Sequence, residues 1–170
     1  MPDMPKPKMG IRLITLGGAA ALLAADQCIK LWMTELLADG GRVLLPGVLG
    51  LHYTQNTGIS FSLFGDSEIA MLVISIITGL VMLGGIVWLL LGKIGGALPL
   101  AAAALILAGG LGNLVDRLQH GYVVDYIELL FTRFAIFNFA DICISCGVIL
   151  VTAWVLWIEI RQRKSKKVSS

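Results

Sequence analysis

"IAMLVISIITGLVMLGGIVWLLL" (residues 69–91) runs from end to end without a charged side chain. An α-helix rises about 1.5 Å per residue, and about 20 apolar residues cross a hydrocarbon core roughly 30 Å thick, so this stretch reads as a membrane span. A second follows at 95–116, uncharged until Asp116. Two more, 11–33 and 139–160, carry ionisable residues near one end. The whole chain is 57% hydrophobic and 14% charged, well short of the roughly 25% charge of an ordinary soluble domain. The expectation is an integral membrane protein, mainly α, with four transmembrane helices forming a single membrane domain over residues 1–170.

The first stretch also has features of a secretory signal, since Lys6, Lys8 and Arg12 precede or open "LITLGGAAALLAA". Cleavage there would leave three spans. The following "DQCIKLWM" continues the helix past the candidate site instead of opening a polar segment, which favours four. Cys28 follows no small-residue lipobox, so the chain is not expected to be a lipoprotein itself.

The basic residues set an orientation. Lys6 and Lys8 lie in the tail 1–10, Lys93 in the turn 92–94, and Arg161, Arg163, Lys164, Lys166 and Lys167 in the tail 161–170. The positive-inside rule puts all three segments in the cytoplasm, leaving 34–68 and 117–138 as outer loops. Asp26, Asp116, Asp125, Glu128 and Asp141 then gather at the outer face. A net charge of +2 averages two unlike sides and gives no case for nucleic-acid binding. Membrane lipid is the expected surrounding, and the basic C-terminal tail is suited to anionic headgroups.

Neither outer loop is a mere tether. "RVLLPGVLGLHYTQNTGISFSLFG" (42–65) has two β-rich runs around Pro46-Gly47, a pair suited to a tight turn. "YVVDYIELLFTRFAIFNF" (122–139) can add strands to it. A small extracytoplasmic β-sheet resting on the membrane surface is expected.

Charged side chains at membrane depth are costly unless paired or hydrated, so each is a functional candidate. Asp26 and Lys30 are four apart with the acid first, the favourable order for one helix face, and fit either an anchoring pair or a direct role in function. Gly109, Asn113 and Arg117 form one stripe, and Gly109, Gly110 and Gly112 would admit a close helix neighbour. An amide and a guanidinium on that stripe can hold a carbonyl or a carboxylate. Asp141 opens the last span and could simply complement its dipole, but Asn138 is a plausible N-cap by itself, which would free Asp141 for chemistry. Asp125 lies in apolar "YVVDYI" and needs a partner, for which Asp141 is a candidate.

Other chemistries lack their residues. Cys28, Cys143 and Cys146 are scattered and read as small packing residues, His52 and His120 are isolated, and neither a His-Glu-x-x-His nor a Gly-x-Ser-x-Gly motif occurs. No metal or other cofactor is expected. Absence of serine, cysteine and metal constellations leaves the carboxylate pair. A small cation transporter using Asp116, Asp125 and Asp141 is the rival reading, weakened by the lack of a repeat or interrupted helix pair. A purely structural membrane subunit is the other.

Five blocks carry a resemblance: "DQCIK" (26–30), "NTGISFSLF" (56–64), "GGLGNLVDR" (109–117), "GYVVDYI" (121–127) and "FNFADICIS" (137–145). In this order and spacing they resemble the signatures of signal peptidase II, the prolipoprotein signal peptidase of bacteria. The resemblance implies an aspartyl endopeptidase of the cytoplasmic (inner) membrane, with both termini cytoplasmic and its active site toward the outer face. Its substrate would be a prolipoprotein already bearing diacylglycerol, cut N-terminal to the lipidated cysteine. It implies Asp125 and Asp141 as the catalytic dyad. Asn56, Asn113, Arg117 and Asn138 would position substrate, while Asp26, Lys30, Gly58, Asp116 and Ala140 would support the architecture. The chain is expected to act as a monomer. Ile59, Tyr126 and Phe139 depart from the residues common in the family, and Ile59 and Phe139 would reshape the pocket.

Overall fold

The computed structural model describes residues 6–57 and 68–168; Gly58 and Ile59 lie outside them. Among the described residues, four helices are long and apolar enough to cross a membrane: α1 (Met9–Leu36), α2 (Glu68–Leu90), α3 (Ala97–His120) and α4 (Phe139–Val168). Three strands, β1 (Arg42–Leu45), β2 (Leu49–Asn56) and β3 (Val123–Leu129), form one antiparallel sheet in that order. The mainly α membrane architecture with a small sheet is as expected.

The helices overrun the apolar stretches, because caps rather than hydropathy decide where a helix stops. α1 extends past 11–33 at both ends, and α4 runs on past 160. Arg161 and Arg163 are good helix formers that complement the negative end of the helix dipole, and Arg163 pairs with Glu159 at 2.6 Å. α3 ends beyond 116, where Gly121 takes a left-handed φ of 77° and donates its N–H to the Arg117 carbonyl at 3.1 Å. Arg117 therefore stands on α3 itself and not in the loop that begins after it.

α3 is the centre of the bundle. Half of its most apolar window is buried, against 11% for α1 and α2 and 17% for α4, so the other three helices are arranged around it. Its glycines allow this approach: a Cβ on Gly109 would collide with the Ala140 carbonyl of α4, and one on Gly112 would lie 2.5 Å from Asp26 Oδ2 of α1. Ala19, Met82, Leu89, Leu100, Leu107 and Ala108 make the apolar core within the bundle. Of the cysteines only Cys143 is buried; Cys28 and Cys146 face outward, so the packing role expected of all three holds for Cys143 alone. Cys143 and Cys146, three apart, lie near each other on one side of α4, Cys143 on its buried part and Cys146 at its exposed edge.

The sheet caps one end of the bundle. Its first turn forms at Pro46-Gly47, with Gly47 at φ 71° and Val48 N–H donating to the Leu45 carbonyl at 3.0 Å. Beneath it, Met33 and Leu37 of α1 pack on Val124 and Tyr126 of β3. Val43, Leu44, Leu45, Phe131 and Phe134 stay exposed, giving this end an apolar skirt.

Candidate active site

Local pairing brings the carboxylates together. In the β2–β3 ladder Thr54 faces Asp125, and Asn56, two residues on, projects from the same side of β2. Its Nδ2 donates to Asp125 Oδ2 at 2.8 Å. After β3 the chain loops through 130–136 and returns as an isolated bridge, Phe137 opposite Ile127, with N–H···O bonds of 2.8 and 3.1 Å. That bridge delivers Asn138 and the start of α4 to Asp125.

Asn138, wholly buried, connects the two acids. Its Nδ2 donates to Asp125 Oδ1 at 2.7 Å, and its backbone N–H donates to Asp141 Oδ2 at 3.1 Å. Its Oδ1 accepts the Asp141 N–H at 2.9 Å, closing a reciprocal cap on α4. Capping and site-building are thus the same contact, so Asp141 is not released by the cap, contrary to the expectation. Asn113 Nδ2 donates to Asp141 Oδ1 at 2.8 Å, which leaves both oxygens of each acid with a donor.

Behind Asn113 lies a buried charge cluster. Its Oδ1 accepts from Lys30 Nζ and from Asn138 Nδ2, both at 3.1 Å. Lys30 also contacts Asp26 Oδ2 and Asp116 Oδ2, each at 2.9 Å, so all three ammonium hydrogens have acceptors. Asp26 Oδ1 accepts from the Ala140 N–H at 3.0 Å and Asp116 Oδ2 from the Val124 N–H at 3.0 Å. The cluster therefore fixes α4 and β3, the two elements that carry the acids, to α1 and α3. Arg117 donates to the Asn113 carbonyl at 3.4 Å, and its charge is felt by Asp141, Asp116 and Asp125.

All the candidates within the described residues meet in one network; Gly58 lies outside them. Sequence reasoning missed Gln27, which donates to Asp116 Oδ1 at 2.9 Å, although an amide beside Asp26 in an apolar helix was a signal. It also missed the Tyr126 hydroxyl, which accepts the Phe139 N–H at 3.2 Å at the head of α4.

Burial pushes the Asp125 carboxyl up to about 6; hydrogen bonds from Asn56 and Asn138 oppose the rise and the charge of Asp141 adds to it. Desolvation favours the neutral acid, and a second carboxylate nearby makes double ionisation costly. The arrangement can hold one proton between two acids.

Residues 18–157 match the family described as signal peptidase (SPase) II. A lipoprotein signal peptidase of Streptococcus pyogenes serotype M5 (strain Manfredo) is 39% identical over 139 residues, covering 81% of this chain and 89% of that protein. That of serotype M3 (strain ATCC BAA-595 / MGAS315) is 38% identical over the same shares. Two solved structures described as bacterial membrane enzymes superpose with TM-scores of 0.72 and 0.71, at 26% and 24% identity. They cover 89% and 90% of this chain, and 96% and 92% of theirs. A match that spans the spans, the sheet and both aspartates leaves one conclusion: this chain belongs to the signal peptidase II family.

Proposed function

We propose that this chain removes signal peptides from diacylglyceryl-modified prolipoproteins by aspartyl catalysis, with Asp125 and Asp141 as the acid pair. The observation that carries this is one buried residue, Asn138, that bridges both carboxylates, its side-chain amide donating to Asp125 and its backbone N–H to Asp141. One acid, ionised, takes a proton from water while the other, protonated, donates to the scissile carbonyl. Water adds to the carbonyl carbon directly and no acyl-enzyme forms. Collapse of the tetrahedral adduct breaks the C–N bond, and the pair returns a proton to the leaving amine of the lipidated cysteine.

Asn56, Asn113 and Asn138 serve this chemistry by aiming the carboxylate oxygens, since their amides are directed at the acids. Arg117 is the polar group best placed to meet a substrate carbonyl at the rim. Both aspartates come from one chain, which supports action as a monomer. The basic segments 1–10, 92–94 and 161–170 support cytoplasmic termini and an outward-facing site. The apolar skirt would then rest in the outer leaflet, where a substrate held by acyl chains presents its scissile bond.

Lipid dependence tests the reading. Purified protein in detergent, given a diacylated precursor and its unmodified form, is expected to cleave the first at least about a hundredfold faster, the discrimination a few kcal/mol of acyl-chain burial provides. Equal rates, read by gel shift, would refute it.

The acid pair also predicts a pH profile. Asp125 titrates at about 6 against an ordinary carboxylate value of about 3.9. Its contribution to folding stability is therefore complete below about pH 4 and lost as pH rises through about 6. The shared proton is lost in the same direction. The expected kcat/KM profile has a descending limb near pH 6, and in kcat the limb moves upward because bound substrate excludes water. A kcat/KM that stays flat from pH 5 to 9, a range bracketing that value, would contradict it.

A further inference from the structure

At the end of the bundle far from the carboxylates, a cavity of about 370 Å³ opens between α2 and α4 across α3. Its walls are apolar: Val81 and Gly85 on α2, Ala103 and Ile106 on α3, Val151 on α4. From Val81 to Trp88 it runs roughly 10 Å along the helix axis. Its lining at one end includes the turn bearing Lys93, an exposed cation with no ion-pair partner among the described residues. Trp88 and Trp154 line the same cavity, and indoles are favoured where hydrocarbon gives way to headgroups.

We propose that this groove binds a phospholipid with an anionic headgroup, one acyl chain lying between α2 and α4 and the phosphate against Lys93. The volume falls in the range of small-ligand sites. A signal helix is a poorer occupant: with side chains it is about 10–12 Å across, and its positively charged N-terminal region would meet Lys93 as a like charge. The nearby Arg12 is engaged in capping α2 through the Leu90 carbonyl at 2.7 Å, and Arg161 stacks on Trp157 at 4.6 Å. Among the described residues, Lys93 is the cation that lines the groove.

The test uses the full chain carrying Trp32→Phe and Trp157→Phe, so that emission comes from Trp88 and Trp154, the two tryptophans of the groove. The protein is reconstituted in phosphatidylcholine vesicles with rising fractions of chain-brominated phosphatidylglycerol or chain-brominated phosphatidylcholine. Half-maximal quenching is expected at about fivefold lower mole fraction for the anionic lipid, the preference one lysine near a headgroup supplies. Lys93→Gln should abolish the preference, Lys93→Arg should keep it, and Ala103→Phe should weaken quenching by both lipids. Equal quenching by the two lipids would overturn the proposal. So would a preference that survives Lys93→Gln, which would assign it to the basic tail, or displacement of the quencher by an added signal-peptide helix.

Discussion

Asp125→Asn and Asp141→Asn are each expected to lower turnover by at least about a thousandfold, because an amide can neither accept the proton of the attacking water nor cycle as an acid. The double substitution should be scarcely worse than either single one, since the two side chains act as one unit. The hydrogen bonds add a second expectation. Both oxygens of each acid accept from a donor, so an asparagine must turn its NH2 toward another N–H whichever way it is oriented. That conflict should cost about 1–3 kcal/mol of stability, offset at Asp125 by removal of a carboxylate that burial already disfavours. Initial rates on the diacylated substrate, with thermal unfolding measured in parallel, decide the matter. A folded single variant retaining more than about a hundredth of the activity would remove that aspartate from the pair.

Lys30→Met is expected to be the most destabilising single change. Lys30, Asp26 and Asp116 are 3%, 1% and 2% exposed, and loss of the ammonium would leave two buried acids facing each other. Breaking a buried ion pair from one side costs about 3–5 kcal/mol. Activity should fall as well, even where folded protein is recovered. Asn113 Oδ1 would lose the cation that fixes its amide, and with it the donor aimed at Asp141. Lys30→Arg should not restore function, because a planar guanidinium cannot meet three acceptors arranged around a point charge. A melting temperature equal to that of the parent protein would refute this account of the cluster.

How far the sequence could be read depended on how local each signal was. Residues 69–91 needed only their own hydropathy, the turn at Pro46-Gly47 only its two residues, and the Asp26–Lys30 pair only a spacing of four. Asp116 was placed near the outer face, but its contact with Lys30 joins residues 86 positions apart and depends on how α1 meets α3. Asn113 and Asn138 read as amides available to a substrate. Their engagement with the acids requires β3, α3 and α4 to converge, a feature of packing that no window of sequence contains. The overrun of α3 past Asp116 rests on one left-handed glycine, which hydropathy does not register.

The hydrogen bond from the Ala140 N–H to Asp26 joins residues 114 positions apart. At a synthesis rate of about 5–20 residues per second, α1 waits roughly 6–23 seconds on the ribosome's schedule before that donor exists. Its aspartate needs a companion throughout the interval. Lys30, one turn away, provides it from within the same helix, so α1 can partition into lipid as a locally neutral segment. The lysine that later aims Asn113 thus first acts as a chaperone in cis, and the proposed acid pair is complete only when the last helix, which carries Asp141, is made.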